Sequence, residues 1–142
     1  MSEEIDQQPR SYVLIFNSGD EVATGLKDFA TKQNLADASF KAIGALGSVK
    51  LAWFNPATKS YQISVDLKEQ VELLSLIGDV VQHEGKPVVH AHVVVGRSDG
   101  TTAGGHLLEA VVRPTCEVFL AESPVHLSKA VDPDSGLVLI KL

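Results

Sequence analysis

One cysteine, Cys116, stands in 142 residues, so no internal disulfide can form. It lies in the apolar run Cys116-Glu117-Val118-Phe119-Leu120, where a thiol reads as buried and inert rather than reactive. No stretch approaches the roughly 18 apolar residues of a membrane helix, which argues against a membrane span. Basic residues are scarce: twelve Lys and Arg face eighteen Asp and Glu, for a net charge of -6. Binding to phosphate backbones or anionic lipid rests on clustered Lys and Arg. A broad surface of that kind is therefore excluded, whereas a local patch formed by assembly is not. Residues 1–10 are acidic and polar, unlike a secretory signal; they read as a solvated tail on a cytoplasmic protein. Also missing are a Gly-x-x-x-x-Gly-Lys loop, a Gly-x-Ser-x-Gly elbow and a dinucleotide fingerprint.

What is present reads as a single domain over residues 11–142, long enough to bury a core without staples. Tyr12-Val13-Leu14-Ile15-Phe16 is a first strand. Ser18 and Glu21 have capping-box spacing, with Asp20 as a competing N-cap. A helix follows from Glu21 to Asn34, with Val22, Leu26, Phe29 and Ala30 on one stripe. Ala38 to Ala45 is a strand ending near Gly47, and Val49 to Phe54 is another. Asn55 to Lys59 turns the chain into Tyr61 to Val65. Val71 to Val81 leans toward strand, Val88 to Val95 is strand by its β-branched density, and Arg97-Ser98-Asp99-Gly100 is a turn. Thr115 to Leu120 and Leu137 to Leu142 are strands, with loop between them. The sum is α+β: one main helix on a largely antiparallel sheet of about seven or more strands. Trp53 and Phe54 are adjacent, so one faces in and one out. Glu72 and Glu117 read as residues on solvent-facing sides of their strands.

The chemistry concentrates in three histidines. His90 and His92 stand two apart in Val88-Val89-His90-Ala91-His92-Val93-Val94-Val95, and His106 follows Gly104-Gly105. Strand residues i and i+2 share a face, ~6.5–7 Å apart along the chain, so both imidazoles of the pair can point at one ion. The glycine pair would let the backbone pass close and turn His106 inward. Three neutral imidazoles suit a divalent metal, zinc foremost, and leave a fourth position open. Glu109 is a candidate fourth ligand, orienter or base, and Arg97 a candidate anion contact. His83 reads as solvated and His126 as structural or exposed. A cupin would place a Glu at one of the positions held here by Gly96 and Arg97, and its leading Gly would not stand as close to His90 as Gly85 does.

These segments in this order resemble the plants-and-prokaryotes conserved (PPC) domain, which also forms the C-terminal part of plant AT-hook nuclear-localized proteins. The likeness rests on the early strand and helix, Ile43-Gly44-Ala45-Leu46-Gly47-Ser48-Val49, Glu72-Leu73-Leu74-Ser75-Leu76-Ile77-Gly78, Val89-His90-Ala91-His92 and Gly104-Gly105-His106-Leu107. It implies an α+β subunit that assembles as a homotrimer, with a metal on His90, His92 and His106 as in some prokaryotic members. It also carries a DNA-binding label, given to prokaryotic members largely by association with the plant proteins. The basic AT-hook that reads DNA in plants is absent from this chain. The plant segment linked to nuclear partners corresponds here to residues 69–74, where Glu72 and Leu74 match and the Gly-Arg-Phe start is missing. Two functions therefore stand side by side: a DNA-associated regulatory module with a three-histidine metal site, and a zinc-type hydrolase or lyase acting on a small molecule.

Overall fold

The computed structural model describes residues 9–141; most of the expected tail, residues 1–8, lies outside that range. Arg10, at the end of that expected tail, is tied down, its guanidinium donating to Glu122 at 2.6 Å. The order of elements is β1 (Ser11–Asn17), α1 (Val22–Lys32), β2 (Asp37–Asn55), β3 (Ser60–Leu67), β4 (Val71–His83), β5 (Lys86–Gly96), β6 (Thr102–Glu122), β7 (Ser128–Val131) and β8 (Val138–Lys141). The result is an antiparallel sheet with one helix. No helix among the described residues is long and apolar enough to cross a membrane.

The helix forms where Val22, Leu26 and Ala30 recur at four-residue spacing, and all three are buried. Its N-cap is Glu21, not Ser18 or Asp20: the Glu21 carboxylate accepts from the backbone N–H of Ala23 and Thr24. It also accepts from Ala110 N–H at 3.0 Å, which fastens the helix start to β6. Burial alone would raise the Glu21 pKa, but these backbone donors outweigh it and hold the carboxyl below its ordinary value. The helix stops at Lys32, two residues short of the expected end. Asn34 turns left-handed at φ 52, and the N–H groups of Leu35 and Asn34 return to the carbonyls of Ala30 and Thr31. That pattern is a Schellman close, with Leu35 as its buried apolar partner.

Six strands run β1-β6-β5-β4-β2-β3, with an added β6–β2 pairing that closes β2, β4, β5 and β6 into a ring. Two strands make the closure possible by being long and bent. β2 runs 19 residues through Gly47, where a strand end was expected. Register shifts near Gly44, Leu46 and Ser48 absorb the bend, as β-bulges do. β6 runs 21 residues from Thr102, whereas the sequence pattern shows strand only from Thr115. β8 is the expected last strand, and it pairs in a separate two-stranded unit with β7, which replaces part of the loop expected before it.

The core lies inside the ring and under the helix. Leu46, Leu51, Leu73, Leu76, Val93 and Val118 are among its fully buried members, each contributing about 1.5–3 kcal/mol by leaving water. Cys116 joins them, and burial, with Glu117 adding to it, pushes its thiol up to about 11. It is the inert thiol its neighbours suggested.

Candidate metal centre

On the open side of the sheet, register determines which side chains meet. Directly paired residues of antiparallel strands share a face, their Cβ atoms ~4.5–5.5 Å apart. Val13 pairs with Phe119, Phe119 with Lys41, Lys41 with Ile77, Ile77 with His92, and His92 with His106. One cross-strand row thus runs over the sheet and ends in two histidines. His90, two residues before His92 on β5, stands on the same face.

The three imidazoles converge. Each offers one ring nitrogen within 4.8 Å of the others, and ring centroids are 5.2 Å apart for His90 and His92 and 5.3 Å for His90 and His106. Tetrahedral zinc with bonds of ~2.0–2.1 Å needs nitrogens about 3.3 Å apart, a difference that turning the rings covers. The glycine pair does let the backbone pass close, but within strand β6 rather than at a turn. A Cβ on Gly105 would sit 2.8 Å from the Ala52 carbonyl oxygen, so only glycine allows this approach of β6 to β2 beside His106.

The local chemistry favours ligation. Burial, followed by the neighbouring His90 and His92, pushes the His106 pKa down to about 4. Burial also lowers that of His90, with Lys129 and His92 adding to it and Asp79 opposing. Both rings are held in the neutral form that binds metals. Nδ1 of His106 is buried without a hydrogen-bond partner, a polar atom that an ion would satisfy. Tyr61 of β3 stacks on the His106 ring at 4.1 Å and 20°, which holds the plane of that ring. The donor set and the orphaned nitrogen fit a divalent metal.

Beside the trio is an open groove of about 650 Å³ bordered by Trp53, Phe54, Tyr61, Ile77, Val94 and Leu137. Trp53 and Phe54 both border it, although strand alternation suggested opposite sides. No Lys, Arg, Asp or Glu is among its lining residues. Glu109 and Arg97 are thus not brought to the histidines. Glu109 is exposed and pairs with Lys50 beyond a register shift in the β2–β6 ladder. Arg97 sits in the turn after β5, its Nε 3.7 Å from Glu69. Glu72 and Glu117 are exposed, as expected. His83 is not solvated: its Nδ1 lies 3.0 Å from the Lys129 carbonyl oxygen, because the β7–β8 hairpin packs over it. His126 is exposed, its Nδ1 3.2 Å from the buried Asp37 carboxylate.

Local sequence pattern gives no sign of Tyr61, Leu137, or the Asp79–Lys129 pair near His90. Each reaches the site from a distant element. Trp53 and Phe54 did stand out, as adjacent aromatics in a strand.

Comparison with known proteins agrees with this architecture. The chain is 34% identical to a plant- and prokaryote-conserved protein of Pyrococcus horikoshii, whose crystal structure superposes with a TM-score of 0.86 over 94% of this chain and 92% of that one. It is 30% identical to a candidate DNA-binding protein of Bacteroides thetaiotaomicron, with a TM-score of 0.87 over 92% and 91% of the two chains. It is 33% identical to a metal-containing protein of Archaeoglobus fulgidus, with a TM-score of 0.84 over 92% and 91%. Over 131 residues, 89% of this chain, it is also 34% identical to the bifunctional protein GlmU of Synechococcus sp. (strain JA-3-3Ab), but it spans only 20% of that relative's length. The Plants and Prokaryotes Conserved (PCC, or PPC) domain matches residues 3–124, and the chain belongs to that family.

Proposed function

We propose that this chain is a metal-binding regulatory module that holds a divalent cation, zinc foremost, on His90, His92 and His106. The convergence of three imidazoles on one face of the sheet carries this reading. A solved relative described as metal-containing supports it. The test is metal analysis of the purified protein beside His90→Ala and His106→Ala. Wild type should carry about one ion per chain and the variants far less; equally little metal in all three sinks the reading.

The module acts as a homotrimer. Val13, Ile15, Ile43, Leu74, Ile77 and Phe119 are each between 46% and 63% exposed. Exposed apolar side chains gathered on neighbouring strands of a small protein favour an interaction site, and a closed assembly of like subunits would cover them. Its partner is DNA, the class named for relatives of the same fold. With a net charge of -6, contact rests on a local basic patch formed by assembly. Binding to duplex DNA should then weaken steeply as salt rises; no binding at low salt would exclude the partner.

The groove favours a second reading, a metal-dependent hydrolase or lyase acting on a small molecule. Zinc with three protein ligands and an open position activates water near neutral pH. An aromatic groove without charged lining would receive an apolar body beside it. Turnover lost on chelation, together with no DNA binding at low salt, would select this reading over the first.

A further inference from the structure

Two charged side chains stand beside the trio without belonging to it. The Lys129 side chain is 2% exposed. A buried ammonium is costly unless paired, and Lys129 Nζ donates to Asp79 Oδ1 at 2.5 Å. Asp79 is paired directly with His90 across β4 and β5, so carboxylate and imidazole project from the same face. Both charges are felt at the His90 ring, the carboxylate pulling its pKa up and the ammonium pushing it down. Among the described residues Lys129 is the hydrogen-bond donor on this carboxylate, and it takes one oxygen.

Lys129 is carried by β7, beyond the matched residues 3–124. The hairpin is fixed at this point twice. His83 Nδ1 meets the Lys129 carbonyl oxygen at 3.0 Å while the ammonium holds Asp79. Leu137, which precedes β8, completes a wall of the groove.

We propose that Asp79, clamped by Lys129, is a positioning residue for the ligand His90, and that the C-terminal hairpin is thereby part of the metal centre. This rests on the three-histidine reading above. A ligating histidine commonly gives its second ring N–H to a carboxylate, which fixes the tautomer and the ring plane. His90 and Asp79 are not hydrogen-bonded to each other in the structure; the Asp79 oxygen left free by Lys129 would be that acceptor once the His90 ring turns to an ion. The ammonium holds the carboxylate in its orientation, and because the pair is neutral overall it adds no net charge beside the cation.

The experiment is competitive titration of the full chain with Zn2+ against a chromophoric chelator, together with the visible spectrum of the Co2+-loaded protein. Wild type is compared with Asp79→Asn, Asp79→Glu and the double variant Asp79→Asn/Lys129→Met. The double variant removes both charges, so no unpaired ammonium is left buried. Asp79→Asn and the double variant should each bind Zn2+ roughly 10- to 100-fold more weakly with an altered Co2+ spectrum, and Asp79→Glu should recover part of the loss. Wild-type Zn2+ affinity and an unchanged Co2+ spectrum in the folded double variant would overturn the inference, whatever its melting temperature. A wild type that takes up neither metal would overturn the three-histidine reading, and this inference with it.

Discussion

The two faces of β5 do different work with interleaved residues. Ala91, Val93 and Val95 point inward and are 0–3% exposed; His90, His92 and Val94 point outward toward the groove. The inward set is apolar and packed on all sides. The outward set is polar or half-exposed and meets its partners only at the end of a cross-strand row. The period of two in a strand makes this division possible: stability and chemistry are separated by one residue along the chain, not by distance. Substitutions on the two faces should therefore separate the two properties.

The largest loss of stability should come from the inner face. Leu76 is fully buried, and Leu76→Ala should cost about 2–5 kcal/mol through lost transfer energy and the cavity left behind, read from urea denaturation. Its neighbour on the outer face, Ile77, pairs with His92. His92→Ala should abolish high-affinity metal uptake while shifting the metal-free urea midpoint by no more than about 0.5 kcal/mol. A large stability loss in that variant would show the two faces to be coupled.

A smaller effect tests how the helix seals the inner side. Glu21→Ala removes an N-cap and the tie to β6, and should cost about 1 kcal/mol. Because the folded-state pKa of Glu21 lies below its ordinary value of 4.5, its contribution is fully present above pH ~4.5 and is lost as pH falls through the folded value. The gap between wild type and Glu21→Gln should narrow over that acid range; a gap constant down to pH 2 would contradict the carboxylate's role. The smallest effect on the subunit itself belongs to the exposed row. Phe119→Lys should change subunit stability by less than about 0.5 kcal/mol; on the proposed trimeric reading it should also lower the mass measured by light scattering from three subunits to one.

The same contrast explains what the sequence made legible. β5 was readable because dense β-branched residues flank the His-x-His pair and the turns at Gly85 and Asp99-Gly100 mark its ends. The first half of β6 was not. Thr102-Ala103-Gly104-Gly105 has weak strand propensity, and pairing with β5 on one side and β2 on the other makes it a strand. Gly47 looked like an end because its neighbours resemble a break, but bulges carry β2 past it. The trio was visible as residue types at a spacing. Tyr61 over His106 and the Asp79–Lys129 pair were not, since ladder pairing and the 50-residue separation of Asp79 from Lys129 leave no local pattern.

The closed ring gives His106 one further property. Its strand is paired on both sides at that point, with His92 on β5 and Ala52 on β2. A slip of β6 by one residue would exchange His106 for the buried Leu107 and strand an imidazole in the core. Such a slip would have to break both ladders together. The ring acts as a jig that holds the third imidazole of the cluster in its place, so, on the proposed metal-binding reading, removing an ion should leave the strands as they are and reloading it should require no refolding.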